Sequence, residues 1–219
     1  MHYLWILICA AFINVVSLTA AAESFNLMVM GDSLSAGYGL NATDSFYSKL
    51  DKALKSKGYN NLTVINFSRS GETTAGGVQK LSRALAQKPD AVILELGIND
   101  ALRDEPVETI NGNLEKLIQT FQNHDIPVLL VGMQAPLIKP APYQQQFKKM
   151  YADLAKKHNL DFYPFFMDGV FKGTSLLTLQ MPNENVLADR IHPSAKGVDI
   201  MVQKILPTVQ KFIDKIYRP

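Results

Sequence analysis

One serine of this chain, Ser33, lies at a position where α/β proteins commonly have a nucleophile. Ser33 lies in the run Gly31-Asp32-Ser33-Leu34-Ser35, directly after an apolar stretch that predicts a buried strand. Open α/β sheets place their reactive groups at the carboxyl ends of such strands. Aspartate and serine also cap helices, so these residues alone leave two interpretations open, a nucleophile and a helix cap.

A serine hydroxyl needs a base to take its proton at neutral pH, and histidine is the usual one. Beyond residue 22 the chain contains three histidines, His124, His158 and His192. Asp189 stands three residues before His192, a spacing that lets its carboxylate reach one imidazole nitrogen and leaves the other for Ser33. Such a carboxylate fixes the tautomer and stabilises the imidazolium. A surface aspartate beside an N-capping histidine is the alternative.

The elements that must position these residues follow from hydrophobic patterning. Short apolar runs without polar alternation predict strands covered on both faces, and amphipathic stretches predict helices. Their alternation implies a parallel sheet with right-handed crossovers, and therefore an α/β fold built as one three-layer α/β/α sandwich. The predicted strands are 27–30, 62–67, 91–96, 128–133 and 160–165, and the predicted helices are 45–57, 74–87, 107–123, 143–158 and 194–217.

Strand direction separates the three histidines. His124 and His158 each stand just before a predicted strand, at the edge of the sheet opposite Ser33. A strand of about six residues spans roughly 17–20 Å, which is far beyond a hydrogen bond. Each of these two histidines follows a predicted helix, and a positively charged side chain is favoured at a helix C-terminus. His192 enters the last helix from the loop side, so it is the predicted base.

Two further loops are expected to open at the same edge as Ser33. Gly71 follows the second predicted strand, and Asn99 follows the third. A backbone N–H beside a glycine and an asparagine amide can both donate to the negative oxygen of a tetrahedral intermediate. Each residue alone is typical of a turn. Together with Ser33 and His192 they indicate acyl transfer.

Four blocks of the chain resemble the SGNH, or GDSL, hydrolase family. In chain order they are GDSLSAGYG at 31–39, SGET at 70–73, ELGIND at 95–100 and DRIHP at 189–193. The resemblance implies a flavodoxin-like sandwich with a five-stranded parallel sheet. It also implies a triad of Ser33, Asp189 and His192, with an oxyanion hole formed by the Ser33 and Gly71 amides and the Asn99 side chain.

Within that family the chain is most similar to exported bacterial esterases that combine arylesterase, acyl thioesterase and lysophospholipase activity. This branch implies hydrolysis of carboxylic esters and thioesters, lysophospholipids among them, through an acyl-enzyme. Ile98 departs from the branch, where a second glycine is commoner, and its bulk predicts a stiffer or narrower site beside Asn99. The alternatives are a carbohydrate or peptidoglycan O-acetylesterase of the same family and a non-catalytic lipid- or glycan-binding protein.

The loops that follow the predicted strands also supply a set of apolar residues. Such a set could line a groove for an acyl chain. Packing of the loops on the core accounts for the same residues equally well, so both interpretations stand. The set comprises Leu102, Pro136, Leu137, Ile138 and Leu187.

The start of the chain has the pattern of a secretory signal. Residues 1–22 contain no Lys, Arg, Asp or Glu, and an almost wholly apolar stretch ends in Ala20-Ala21-Ala22. This predicts a signal peptide over 1–22, followed by one hydrolase domain over 23–219 in the periplasm or outside the cell, without a stable membrane span. An uncleaved membrane anchor is the alternative.

Composition excludes several other classes of protein. The single cysteine, Cys9, lies in the signal segment, so the mature chain has no disulfide or thiolate site. Three separated histidines and glycines that match no phosphate-binding or dinucleotide pattern predict no metal and no cofactor. A net charge of +2 without a basic block argues against nucleic acid as a partner. The expected partner is a small acyl ester or thioester.

Overall fold

The computed structural model describes residues 24–171 and 183–217, and a parallel sheet organises them. The sheet order is β2-β1-β3-β4-β5, with every neighbouring pair parallel. The predicted five-stranded parallel sheet is therefore confirmed. The strands are β1 (Phe25–Met30), β2 (Leu62–Asn66), β3 (Ala91–Leu94), β4 (Val128–Val131) and β5 (Asp161–Tyr163).

Helices connect the strands and form two layers. In the described ranges they are α1 (Ser33–Ala36), α2 (Phe46–Ser56), α3 (Thr74–Gln79), α4 (Leu81–Leu85), α5 (Ile98–Leu102), α6 (Val107–Gln122), α7 (Ala141–Lys157) and α8 (Ala195–Ile213). Helix α2 packs with α8, and α6 packs with α3 and α7. The sheet lies between these two groups, which is the predicted three-layer sandwich.

Burial follows from the position of each strand in the sheet. Strands β3 and β4 are buried at every residue, as expected where helices cover both faces. Strand β2 lies at the edge, and there Leu62 and Val64 are buried while Thr63 is exposed. The apolar stripe of α6 is fully buried against this core and consists of Ile110, Leu114, Leu117, Ile118 and Phe121.

Several predicted boundaries are wrong, for identifiable reasons. Strands β3 and β4 end two residues before their predicted ends, because Leu96 and Met133 are buried in the loops that leave the sheet. The predicted helix 74–87 is divided into α3 and α4 at Lys80, whose φ of −101° and ψ of 3° end the first helix. The loop after β3 contains α5, which is too short for hydrophobic periodicity to reveal.

The N-terminal prediction cannot be compared with the fold, because the predicted signal peptide 1–22 lies outside the described residues. Within 24–171 and 183–217, no helix is both long enough and apolar enough to cross a bilayer. The segments that follow β1, β2 and β3 carry Ser33, at the start of α1, Gly71 and Asn99, in α5. Parallel strands bring these segments to one edge of the sheet.

Candidate active site

Ser33 is the first residue of α1, and only two residues separate it from the end of β1. Glycine is required in this turn, because a Cβ at Gly31 would stand 2.6 Å from Oγ of Ser35 and 2.7 Å from Oε2 of Glu95. The Asp32 carboxylate caps the helix by accepting the N–H of Leu34 at 2.9 Å. The helix-cap interpretation therefore applies to Asp32, and the Ser33 hydroxyl points to another partner.

That partner is His192, which lies 159 positions further along the chain. Oγ of Ser33 is 2.9 Å from Nε2 of His192, and Nδ1 of the same ring is 2.7 Å from Oδ2 of Asp189. The second oxygen of Asp189 accepts the backbone N–H groups of Ile191 and His192 at 2.9 and 3.0 Å. The structure thus brings together the three residues that the sequence singled out as a candidate triad.

The Asp189 carboxylate is held in its charged form. Burial by itself would raise its pKa, but the hydrogen bonds from the Ile191 and His192 backbone and from the His192 ring outweigh that effect. The pKa of Asp189 consequently lies below its ordinary value. An anion beside Nδ1 stabilises the imidazolium that forms when His192 accepts a proton.

The other two described histidines lie at the opposite edge of the sheet, as strand direction predicted. Nδ1 of His124 is 2.8 Å from the carbonyl of Thr120, just beyond the end of α6. His158 ends α7, with Nε2 2.9 Å from Oε1 of Glu115. Neither ring contacts Ser33.

The predicted oxyanion donors occupy adjoining loops. No acceptor for the N–H of Ser33 or Gly71 is found among the described residues, and Gly71 has a φ of +77° that glycine adopts readily. Nδ2 of Asn99 donates to the carbonyl of Glu72 at 3.0 Å and to Oδ2 of Asp32 at 3.2 Å. Asn99 therefore ties the Ser33 loop to the Gly71 loop, and it would share one of these hydrogens with an oxyanion.

Ile98, the residue that departs from the resembling branch, is the first residue of α5. Its side chain is partly buried and packs against the hydrophobic core. This packing anchors the helix on which Asn99 sits. The stiffer or narrower site expected beside Asn99 stays a prediction.

Three buried carboxyl groups lie close to the nucleophile, and for two of them, Glu95 and Asp100, the sequence predicted no role. Asp32, Glu95 and Asp100 are almost fully buried. Oε2 of Glu95 accepts the hydroxyl of Ser35 at 2.8 Å and the N–H of Asp32 at 3.4 Å. Asp100 accepts the N–H and the hydroxyl of Thr74 at 2.9 and 2.5 Å. An acidic residue that ends an apolar run, as Glu95 does, is the one sequence signal that could have revealed this cluster.

Burial is the main cause of unusual acidities in this cluster. It raises the pKa of Asp32 to about 7, and the nearby charge of Asp100 adds to the effect. Burial, followed by the charge of Asp32, raises the pKa of Glu95 well above its usual range. Glu95 is therefore protonated in the folded protein at pH values where the unfolded chain has lost that proton.

Replacing Glu95 with glutamine should make the free energy of unfolding less dependent on pH. Above pH 4.5, the ordinary pKa of this carboxyl, the folded state binds more protons than the unfolded state, so the wild type loses stability as the pH rises. The loss is at most about 1.4 kcal/mol per pH unit until the folded pKa is passed. In thermal unfolding at pH 5, 6, 7 and 8, the melting temperature of the variant relative to that of the wild type should increase with pH.

Glu115→Gln provides a control of opposite sign. Hydrogen bonds from Lys157 and His158 lower the pKa of Glu115, so this carboxylate stabilises the fold once it is ionised, and its loss should not improve stability at pH 8. If the melting temperature of Glu95→Gln relative to that of the wild type stays constant or falls between pH 5 and 8, Glu95 is not buried in its protonated form.

The apolar residues predicted to line an acyl groove lie in segments that follow the strands, with Leu102 at the end of α5 and the others in loops. Ile138 is 80% exposed and Leu102 is 45% exposed. Leu187 is tied to the triad loop, because its N–H donates to the carbonyl of His192 at 2.8 Å. None of the leucines or the isoleucine belongs to the core or to the partly buried set packed against it. Leu102 and Ile138 are therefore open to solvent, whereas Pro136, Leu137 and Leu187 are half-buried, and the acyl groove stays a prediction.

Comparison with known proteins gives consistent matches along the chain. Residues 29–200 match the GDSL-like Lipase/Acylhydrolase family. Esterase TesA of Pseudomonas aeruginosa is 32% identical over 208 residues, which cover 94% of this chain and 98% of that protein. A crystal structure of TesA superposes with a TM-score of 0.76 at 32% identity, covering 85% of this chain and 99% of that one.

Two further relatives are similar over most of their length. An arylesterase of Vibrio mimicus is 39% identical over 155 residues, covering 70% of this chain and 77% of that protein. The protein named thioesterase 1/protease 1/lysophospholipase L1 of Escherichia coli is 30% identical over 194 residues, covering 86% of this chain and 87% of that protein.

Proposed function

The chain belongs to the GDSL-like lipase/acylhydrolase family and is a serine esterase, in which we propose that Ser33 is the nucleophile, His192 the general base and Asp189 the carboxylate that orients the base. One observation carries the proposal. Ser33, His192 and Asp189 form an unbroken chain of hydrogen bonds of 2.9 and 2.7 Å between residues far apart in sequence. Such a chain has the geometry that activates a serine hydroxyl.

The proposed reaction has two steps that use the same base. Nε2 of His192 takes the proton from Oγ of Ser33 while Oγ attacks the carbonyl carbon, and the Asp189 carboxylate stabilises the imidazolium. The carbonyl oxygen becomes an oxyanion that accepts hydrogen bonds from the Ser33 and Gly71 N–H groups and from Asn99. His192 then returns the proton to the leaving alkoxide or thiolate. His192 then takes a proton from water as the water oxygen attacks the acyl carbon, and it gives that proton to Oγ of Ser33 when the bond between Oγ and the acid breaks.

The proposed substrates are carboxylic esters and thioesters with an apolar acyl chain, lysophospholipids among them. The exposed side chains of Leu102 and Ile138 at the catalytic edge support an acyl-binding surface, because burying them against a substrate would remove apolar area from water. The names of the relatives, an esterase, an arylesterase and a thioesterase/lysophospholipase, support the same substrate classes.

A panel of p-nitrophenyl esters from acetyl to octanoyl, with matching acyl thioesters, tests this proposal. We expect kcat/KM to rise steadily with chain length, by up to about fourfold for each CH₂ that is fully buried. The variant Ile138→Ser should flatten this rise while leaving the acetyl ester, its internal control, nearly unchanged. A preference for acetyl would favour the O-acetylesterase alternative, and no hydrolysis of any ester would favour the binding-protein alternative.

We also propose that the protein is exported to the periplasm or beyond the cell. The uncharged, apolar segment that ends in Ala20-Ala21-Ala22 supports a signal peptide over residues 1–22. Cleavage before Glu23 would leave residues 23–219 as the hydrolase domain.

A further inference from the structure

The aromatic ring of Tyr38 lies against the imidazole of His192. The two ring centroids are 4.4 Å apart, and the ring planes are inclined by 35°. Tyr38 is 52% exposed, so burial in the core does not explain its position. Its hydroxyl has no hydrogen-bond partner within the described ranges. The face of the ring is therefore the part of Tyr38 that engages the candidate site.

The backbone around Tyr38 is fixed to the nucleophile itself. The N–H groups of Gly37 and Tyr38 both donate to the carbonyl of Ser33, at 3.2 and 3.1 Å. Gly37 has a φ of +82°, and a Cβ there would stand 2.7 Å from Cβ and 2.9 Å from Cα of Ser45. Only glycine fits this turn without strain. The ring of Tyr38 is thus carried by the same turn that presents Ser33.

His192 needs a contact of this kind. Its two ring hydrogen bonds, to Ser33 and to Asp189, are made at Nε2 and Nδ1 and act close to the plane of the imidazole. Hydrogen bonds in the plane of the imidazole do little to prevent the ring from rotating about the axis through Nδ1 and Nε2. A second ring packed on one face resists that tilt. An aromatic face within about 6 Å also attracts a cation, and His192 becomes one as Ser33 attacks.

We propose that Tyr38 is a positioning residue, which keeps the His192 imidazole in the orientation that reaches Ser33 and favours the charged ring in the transition state. This inference rests on the proposed roles of Ser33 and His192. It goes beyond them by assigning a role to an exposed side chain outside the triad and the oxyanion hole. Only the aromatic face is needed, because the hydroxyl has no described partner.

Kinetic constants of Tyr38→Phe, Tyr38→Leu and Tyr38→Ala on acetyl and octanoyl p-nitrophenyl esters test the inference. We expect alanine and leucine to lower kcat about three- to tenfold on both esters, since they remove the aromatic face that steadies the charged ring. KM should change little. Phenylalanine should keep kcat within about twofold of wild type, because it retains the face.

Tyr217→Ala is the matched control for loss of a tyrosine ring. Tyr217 packs against the ring of Phe25 with centroids 5.5 Å apart, and Phe25 begins β1 at the end of the strand opposite Ser33. We expect kcat of this variant to match the wild type. Rates are normalised to the fraction of molecules titrated by a serine-directed phosphonate, so that misfolded protein does not count as slow enzyme.

Three results would overturn the inference. The first is a wild-type kcat in Tyr38→Ala. The second is a higher KM for the octanoyl ester with an unchanged kcat, which would make Tyr38 a contact of the acyl chain. The third is a Tyr38→Phe variant with a kcat as low as that of Tyr38→Ala. Ser33→Ala separates this inference from the proposed function. If Ser33→Ala is inactive and Tyr38→Ala has wild-type kcat, only the inference fails, whereas an active Ser33→Ala refutes the proposed function.

Discussion

Ser33→Ala is expected to lower kcat/KM for a p-nitrophenyl ester by about 10⁴- to 10⁶-fold, because Ser33 carries the only hydroxyl bonded to His192 within residues 24–171 and 183–217. The substitution removes only Oγ and its 2.9 Å bond to His192, and it preserves the backbone N–H that is proposed to bind the oxyanion. The melting temperature should therefore remain close to that of the wild type. Residual activity would reflect binding and the oxyanion donors alone.

Ser35 provides a matched control on the same helix. Its hydroxyl is fully buried and donates to Glu95, so Ser35→Ala removes one oxygen two residues away without touching His192. We expect this variant to lose less than about tenfold in kcat/KM, since one structural hydrogen bond is typically worth about 1 kcal/mol. A phosphonate should label Ser33 in the wild type and fail to label Ser33→Ala. Labelling of another serine would refute the assignment.

His192→Ala is expected to lower kcat/KM by about as much as Ser33→Ala, because the two residues act as a unit. Without Nε2, the Ser33 hydroxyl has no base to accept its proton, and the leaving group has no acid to supply one. The Asp189 carboxylate would remain, yet it cannot reach Oγ in the place of the imidazole, since it contacts the far side of that ring. Single-turnover rates should show the loss in acylation.

The other described histidines serve as controls for this second prediction. His124→Ala and His158→Ala each remove an imidazole at the far edge of the sheet, where the rings contact Thr120 and Glu115. Both variants should keep kcat/KM within about twofold of the wild type, because neither ring touches the reacting atoms. A loss in either that approached that of His192→Ala, or a His192→Ala enzyme of near wild-type rate, would refute the choice of base.

Strand direction explains why so much of the candidate site could be predicted from the sequence. Runs of apolar residues identify buried strands, and the carboxyl ends of parallel strands meet at one edge. That rule alone separates His192 from His124 and His158. It also places Gly71 and Asn99 at the edge of the sheet where the structure has them, Gly71 in a loop and Asn99 in the short helix α5. Hydrophobic patterning predicts strand ends less reliably. Leu96 and Met133 are apolar and buried, but they lie two residues beyond the ends of β3 and β4.

The sequence by itself therefore determined the layer architecture, the edge that carries the site and the residue types available for chemistry. Only the tertiary structure decided which of them touch: the Ser33 to His192 bond, the two acceptors of Asn99 and the ring of Tyr38 on the imidazole. Burial of Glu95, with its raised pKa, was likewise decided by the elements that cover it. The physical reason is the distance along the chain over which each kind of information extends. Periodicity reports which face of an element meets the core, whereas these contacts depend on how loops distant in sequence pack together.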